Sequence, residues 1–163
     1  MKTEPSAIPR ASARVLPALA VSWAVLILAA PRLGAAGASA GPAWLSAGAY
    51  WLGSIVCHQR PGRSFHLAGA QLPVCARCTG LYLSGAIGVL AGWWAARRGR
   101  PIEFRSWRVA LLAAALPTIV TVAVDWWRPG ATSPALRAAA AVPAGIVAGL
   151  LLAGFAGFRG RLS

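Results

Sequence analysis

The chain has 163 residues, 58% of them hydrophobic and 12% charged, with a mean hydropathy of +0.62, whereas roughly 25% of the residues of an ordinary soluble domain are charged. That composition excludes a soluble globular protein and points to one integral membrane domain. The net charge of +13, from 16 basic residues against Glu4, Glu103 and Asp125, does not call for a nucleic-acid partner: the arginines sit at the ends of apolar runs, where they orient membrane helices, and no basic stripe carries the interleaved aromatics of a strand-binding groove.

In chain order, residues 1–14 read as a disordered basic leader. The apolar run 15–31 follows, long enough for a hydrocarbon core that takes about 20 residues, with a tolerated range of ~17–25. Leader, run and Ala38-Ser39-Ala40 also resemble an export signal with its cleavage site; under either reading the chain beyond them is exported. A Gly-, Ala- and Ser-rich stretch up to Pro42 reads as a flexible connection. Residues 43–56 are apolar but short, and Trp44, Tyr50 and Trp51 suit an interfacial or re-entrant helix. A polar loop, 57–78, then holds all three cysteines. Three further spans are expected at 79–96, 107–124 and 138–158, with a tail at 159–163. Ser84, Gly88 and Gly92, and Ala141, Gly145, Gly149, Ala153 and Gly157, recur every four residues and form smooth ridges on which helices can pack closely. The fold class expected is an all-α integral membrane bundle of four transmembrane helices plus a short interfacial or re-entrant helix, one domain over 15–158.

Basic residues test this count, because the side richer in them is normally cytoplasmic. Four spans place Lys2, Arg10, Arg14, Arg97, Arg98, Arg100, Arg105, Arg108, Arg159 and Arg161 on one side, and Arg32, Arg60, Arg63, Arg77, Arg128 and Arg137 on the other. A fifth crossing at 43–56 divides the same residues equally and abolishes the bias. Four spans therefore put both termini in the cytoplasm, and the cysteine loop and the Asp125–Arg137 connection together on the outer face of a bacterial plasma membrane.

Cys57, Cys75 and Cys78 offer three soft, deprotonatable ligands, and tetrahedral zinc takes four from cysteine and histidine. The fourth candidates are His58 and His66. Adjacent side chains on a regular backbone point apart, so Cys57 and His58 share an ion only if the chain bends there; His66 lies nine residues from both Cys57 and Cys75 and reaches more freely. The competing chemistry is redox: in an oxidising compartment the Cys75/Cys78 pair can cycle between dithiol and disulfide, with a membrane quinone as electron acceptor, in outline like the quinone-coupled thiol oxidases. Such enzymes relay electrons through a second cysteine pair, and only Cys57 remains here. Arg60, Arg63 and Arg77 can hold a phosphate or carboxylate by forked hydrogen bonds, and Thr79 reads as a cap for the second span.

Asp125 is the only acid near a span and is followed by Trp126-Trp127-Arg128. A pair with Arg128 or Arg137 is its structural reading; a role beside the cysteine loop, as ligand or proton acceptor, is its functional one.

The segments Cys57-His58-Gln59-Arg60-Pro61-Gly62-Arg63-Ser64-Phe65 and Gln71-Leu72-Pro73-Val74-Cys75-Ala76-Arg77-Cys78-Thr79-Gly80-Leu81-Tyr82 resemble the signature of an uncharacterised family of small prokaryotic polytopic membrane proteins. The resemblance spans Cys57 to Gly145 and implies that Cys57, His58, Gln59, Arg63, Ser64, Cys75, Arg77, Cys78, Gly80, Asp125 and Arg137 are its marked positions. Trp126 stands where the family pattern leads one to expect a glycine. His66 falls at an optional position, which favours His58 as ligand. The resulting expectation is a zinc centre of Cys57, His58, Cys75 and Cys78, with Arg63, Arg77 and Arg137 holding an anionic or lipid-linked molecule and Asp125 handling protons.

Overall fold

The computed structural model describes residues 12–35, 43–99 and 107–159. Over these the chain forms helices α1 (Ser12–Ala35), α2 (Ala43–Val56), α3 (Ala76–Arg97), α4 (Trp107–Trp127) and α5 (Pro134–Arg159), with a 3-10 turn at Pro61–Arg63 and a ribbon of β1 (His66–Leu67) and β2 (Ala70–Gln71) between α2 and α3. Most of the leader, the connection after Ala35 and the tail after Arg159 lie outside the described residues.

Four helices are long and apolar enough to cross a bilayer, over Arg14–Gly34, Ala76–Arg97, Trp107–Trp127 and Pro134–Phe155. The all-α, four-span expectation is therefore met. The helices run past the apolar stretches because hydropathy marks the hydrocarbon interval, whereas caps mark where a helix ends. At α5 the Ser133 Oγ accepts the Leu136 N–H at 3.2 Å and Pro134 fills the first helical position, where its missing N–H costs nothing. Thr79 corrects the sequence reading: Cys75 is the N-cap of α3, and Thr79 lies inside the first turn with its hydroxyl donating to the Cys75 carbonyl at 3.1 Å.

The two small-residue ridges meet. A Cβ added to Gly80 would strike the Ala138 carbonyl, one on Gly88 the Ile146 carbonyl, and one on Gly149 the Gly85 carbonyl, so α3 and α5 approach backbone to backbone. Around this seam α1 packs on α3, α4 on α5, and α2 on α1. The Thr118 hydroxyl ties α4 to the Ala140 carbonyl of α5 at 2.8 Å. Helix α4 is the least covered, with 17% of its apolar window buried against 39% for α3.

Helix α2 lies across the end of α1. Its Ser46 hydroxyl donates to the Ala30 carbonyl at 2.8 Å, and Cys57, just past its last turn, packs in one cluster with Ile27 and Val74. From Ser46 to Cys57 a helix advances roughly 16 Å, from Ala30 back to Ile27 only about 4.5 Å. At the opposite end of the bundle Arg97, Arg98 and Arg108 stack over Trp93, Trp94 and Trp107 at 4.8, 3.7 and 5.4 Å, the aromatic and cationic belt of a water interface.

Candidate metal and anion site

The loop between α2 and α3 is built by two glutamines. Gln59 adopts a left-handed backbone (φ +46°), a conformation that costs a residue with a Cβ about 1–2 kcal/mol and turns the chain sharply after Cys57-His58. Its side-chain amide donates to the Tyr50 carbonyl at 2.8 Å and to the Pro73 carbonyl at 2.7 Å, clamping α2 to the segment that leads into α3. Gln71 returns the contact, donating to the Gln59 carbonyl at 2.6 Å and to the Ser64 hydroxyl at 3.2 Å, while the Tyr50 hydroxyl donates to the Gln71 carbonyl. Gly53 is required beneath this clamp, since a Cβ there would meet the Pro73 carbonyl and the Gln59 amide. The ribbon pairs His66 with Gln71 and Leu67 with Ala70, reversing the chain through Ala68 and Gly69, both at positive φ.

This frame brings the three thiols together. The Sγ atoms of Cys57, Cys75 and Cys78 all lie within 4.8 Å of one another, Cys57 buried and the other two half-buried. The Cys75 N–H, at the N-terminus of α3, donates to the Cys57 sulfur at 3.2 Å. The Cys75 thiol is held below its ordinary pKa, first by its hydrogen bond with the Cys78 thiol and further by the Cys78 and Arg77 backbone and the Cys57 side chain, against the opposing effect of burial. Zinc–sulfur bonds of ~2.3 Å in a tetrahedron hold sulfurs roughly 3.8 Å apart, so small side-chain rotations suffice to close the three thiols on an ion. Neither histidine joins this cluster of potential ligand atoms. His58 is exposed and lines the cleft beside the thiols; His66 is exposed on the ribbon.

Asp125, expected at the close of an apolar run, sits in the last turn of α4 and is buried. Its carboxylate is saturated. Oδ2 accepts from Arg137 Nε at 2.8 Å and Arg77 Nη2 at 3.1 Å; Oδ1 accepts from Arg137 Nη2 at 3.1 Å, the Thr132 hydroxyl at 2.6 Å and the Thr132 N–H at 3.3 Å. Arg137, 3% exposed, also donates through Nε to the Thr132 hydroxyl at 2.9 Å, and Arg77 Nη2 reaches the Thr121 hydroxyl at 3.4 Å. Of the two partners proposed for Asp125 the structure selects Arg137 and adds Arg77, while Arg128 is exposed. Sequence reasoning missed Thr121 and Thr132. Thr121 carried no local signal; Thr132 carried one, since Thr132-Ser133-Pro134 is a helix-start pattern with Arg137 one turn inside it.

The thiols and the arginines open into one cleft of about 440 Å³, whose walls include Cys57, Cys75, Cys78, Arg63, Arg77 and Arg137. The cysteine loop and the α4–α5 connection thus meet at one end of the bundle.

Residues 57–151, more than half the chain, match the family described as predicted membrane protein (DUF2085). The chain belongs to that family. The matched interval takes in the loop, α3, α4 and most of α5, hence every thiol and every member of the Asp125 cluster. An uncharacterized protein of Methanothermobacter thermautotrophicus is 30% identical over 92 residues, 56% of this chain and 78% of that protein. An uncharacterized protein of Methanocaldococcus jannaschii is 44% identical over 41 residues, 25% of this chain and 26% of that protein. No solved structure matches the chain. The family is one of unknown function, so the site's job has to be argued from its chemistry.

Proposed function

We propose that the protein is a polytopic membrane protein in which a zinc ion, bound by Cys57, Cys75 and Cys78 at the extracytoplasmic surface of the plasma membrane, staples α2 to α3 and sits beside an anion held by Arg63, Arg77 and Arg137. The observation that carries this reading is the convergence of three thiols within 4.8 Å, one of them accepting a backbone N–H. Hydrogen bonds of that kind tune and orient metal-bound thiolates. The fourth position faces the cleft, and His58, which lines it, is the ligand this reading assigns there. Asp125 acts as the holder of Arg77 and Arg137, since its acceptor positions are occupied by them and by Thr132. The outward orientation follows from the asymmetry of arginine and lysine between the two ends of the bundle, with both termini in the cytoplasm.

A second reading has one specific support: Cys75 is the N-cap of α3, three residues before Cys78 in its first turn, and a helix N-terminus favours thiolate at the capping cysteine. In it the pair passes two electrons and two protons to a membrane quinone, becoming a disulfide as the quinone becomes a quinol.

One preparation separates the two. The protein is purified in detergent without chelator, its metal is measured by elemental analysis, and its thiols are titrated before and after chelation and reduction. The zinc reading expects about one equivalent per chain, with three thiols becoming reactive on chelation; absence of metal with two thiols that appear only on reduction sinks it in favour of the redox pair. Impermeant thiol labelling of intact, chelator-treated cells tests orientation, and labelling only after lysis reverses the topology.

A further inference from the structure

The cleft is unbalanced in charge and amphipathic in its walls. Arg60, Arg63, Arg77 and Arg137 line it, and among the described residues the one carboxylate set against them is Asp125, shared by Arg77 and Arg137. A zinc ion bound by three thiolates adds one net negative charge. Two positive charges, on the exposed Arg60 and the half-buried Arg63, then remain without a counter-charge in the cleft, an excess that attracts an anion more strongly beside a low-dielectric membrane than in open water. In addition, Arg77 is fixed by Asp125 through Nη2 at 3.1 Å while a fifth of its side chain stays open, so a donor of its guanidinium is aimed and held for an anion. On the open side the same cleft is walled by Val56 and Trp126, which are 54% and 84% exposed. Tryptophan at this depth belongs to the headgroup layer.

We infer that the cleft binds a phosphate monoester dianion carried on a lipid, with phosphate oxygens on Arg63 and on the part of the Arg77 guanidinium that stays exposed, and the lipid's apolar part leaving over Val56 and Trp126. This rests on the zinc reading for its charge count. A monoester carries about −1.5 to −2 near neutral pH, which matches the imbalance, whereas a diester or a carboxylate supplies a single charge. A guanidinium fork also fits phosphate oxygens in pairs.

The test uses the full, zinc-bearing chain in mild detergent, with phosphatidic acid and phosphatidylglycerol of identical acyl chains competed by native mass spectrometry. Phosphatidic acid is expected to bind at least about tenfold more tightly, and Arg63→Gln to lower its binding by about tenfold with zinc content unchanged. Arg60→Gln, at an exposed position, should lower it less. Equal binding of the two lipids, or wild-type binding by Arg63→Gln, overturns the proposal. Soluble glycerol phosphate is the third probe: displacement of phosphatidic acid at equal concentration overturns the lipid source and leaves the monoester site. Zinc measured in every sample keeps the two readings apart. A sample with one zinc and no lipid preference ends this inference alone, and a zinc-free sample that still prefers phosphatidic acid ends the metal centre alone.

Discussion

Asp125→Asn removes a charge while preserving shape, and the structure sets its cost. The side chains of Asp125 and Arg137 are 5% and 3% exposed, and that of Arg77 is 20% exposed. Asparagine keeps one acceptor oxygen for Thr132 but leaves the Arg137 guanidinium as an uncompensated charge out of water. Removing one partner of a buried pair costs about 3–5 kcal/mol. Arg77 contributes the smaller share, because a fifth of its side chain can hydrate. Arg137→Met alone should cost a similar amount, and the double variant should be less damaging than the two singles added, by a coupling of about 2–3 kcal/mol at the upper end of contacting pairs. Thr132→Val, which removes the hydroxyl between them, should cost about 1–3 kcal/mol. The assay is unfolding of the detergent-solubilised protein by increasing sodium dodecyl sulfate, followed by far-ultraviolet circular dichroism. An Asp125→Asn variant within about 0.5 kcal/mol of wild type, the range of an unremarkable surface change, would refute the claim that the cluster is desolvated. Strict additivity of the two variants would refute the pairing itself.

Three other perturbations probe the frame and the centre. Gly145→Val drives side-chain atoms into the Ser84 hydroxyl and the Leu81 carbonyl and should destabilise by about 1–3 kcal/mol or more in the same unfolding assay, whereas Gly85→Ala, whose Cβ would sit at an ordinary 3.6 Å from the Gly145 carbonyl, should stay within about 1 kcal/mol; equal effects would mean that the α3–α5 seam is looser than described. Gln59→Ala removes both amide contacts to the Tyr50 and Pro73 carbonyls while keeping a Cβ at φ +46°, and about 2–3 kcal/mol of local destabilisation should appear as faster reaction of the three thiols with an aromatic disulfide reagent after metal removal; unchanged thiol rates would detach the glutamine clamp from the cysteine cluster. His58→Ala should weaken zinc binding by at least about 10–100-fold, the loss that even an outer-shell partner causes, in a competition titration against a chromophoric chelator, with His66→Ala indistinguishable from wild type, and the reverse order would move the fourth ligand to the ribbon.

The spans and their packing ridges were legible because lipid imposes one requirement on every residue of a crossing: apolar side chains, with small ones where backbones touch. Gly88 and Gly149 could be read as interface residues from spacing alone for that reason. The polar end of the bundle obeys no such local rule. Arg77 appeared in the sequence as one of three arginines able to hold an anion, yet its Nη2 reaches Asp125, 48 residues away, and so links α3 to α4. Its position inside the Cys75–Cys78 motif is what lets one turn of helix serve both clusters, the sulfurs toward Cys57 and the guanidinium toward Asp125. Asp125 itself was recognisable as exceptional, but its five hydrogen bonds turn the expected proton carrier into a fixed counter-charge. That reassignment decides how the cleft works. An acid free to titrate could have delivered a proton; an acid held by two guanidinium groups and Thr132 instead aims them, and leaves Arg60 and Arg63 without a carboxylate among the described residues. Arg77, inside the Cys75–Cys78 turn and bound to Asp125 through Nη2, is thus the residue that joins the cysteine loop to the acid, and the one through which the anion proposed for the cleft would sense both.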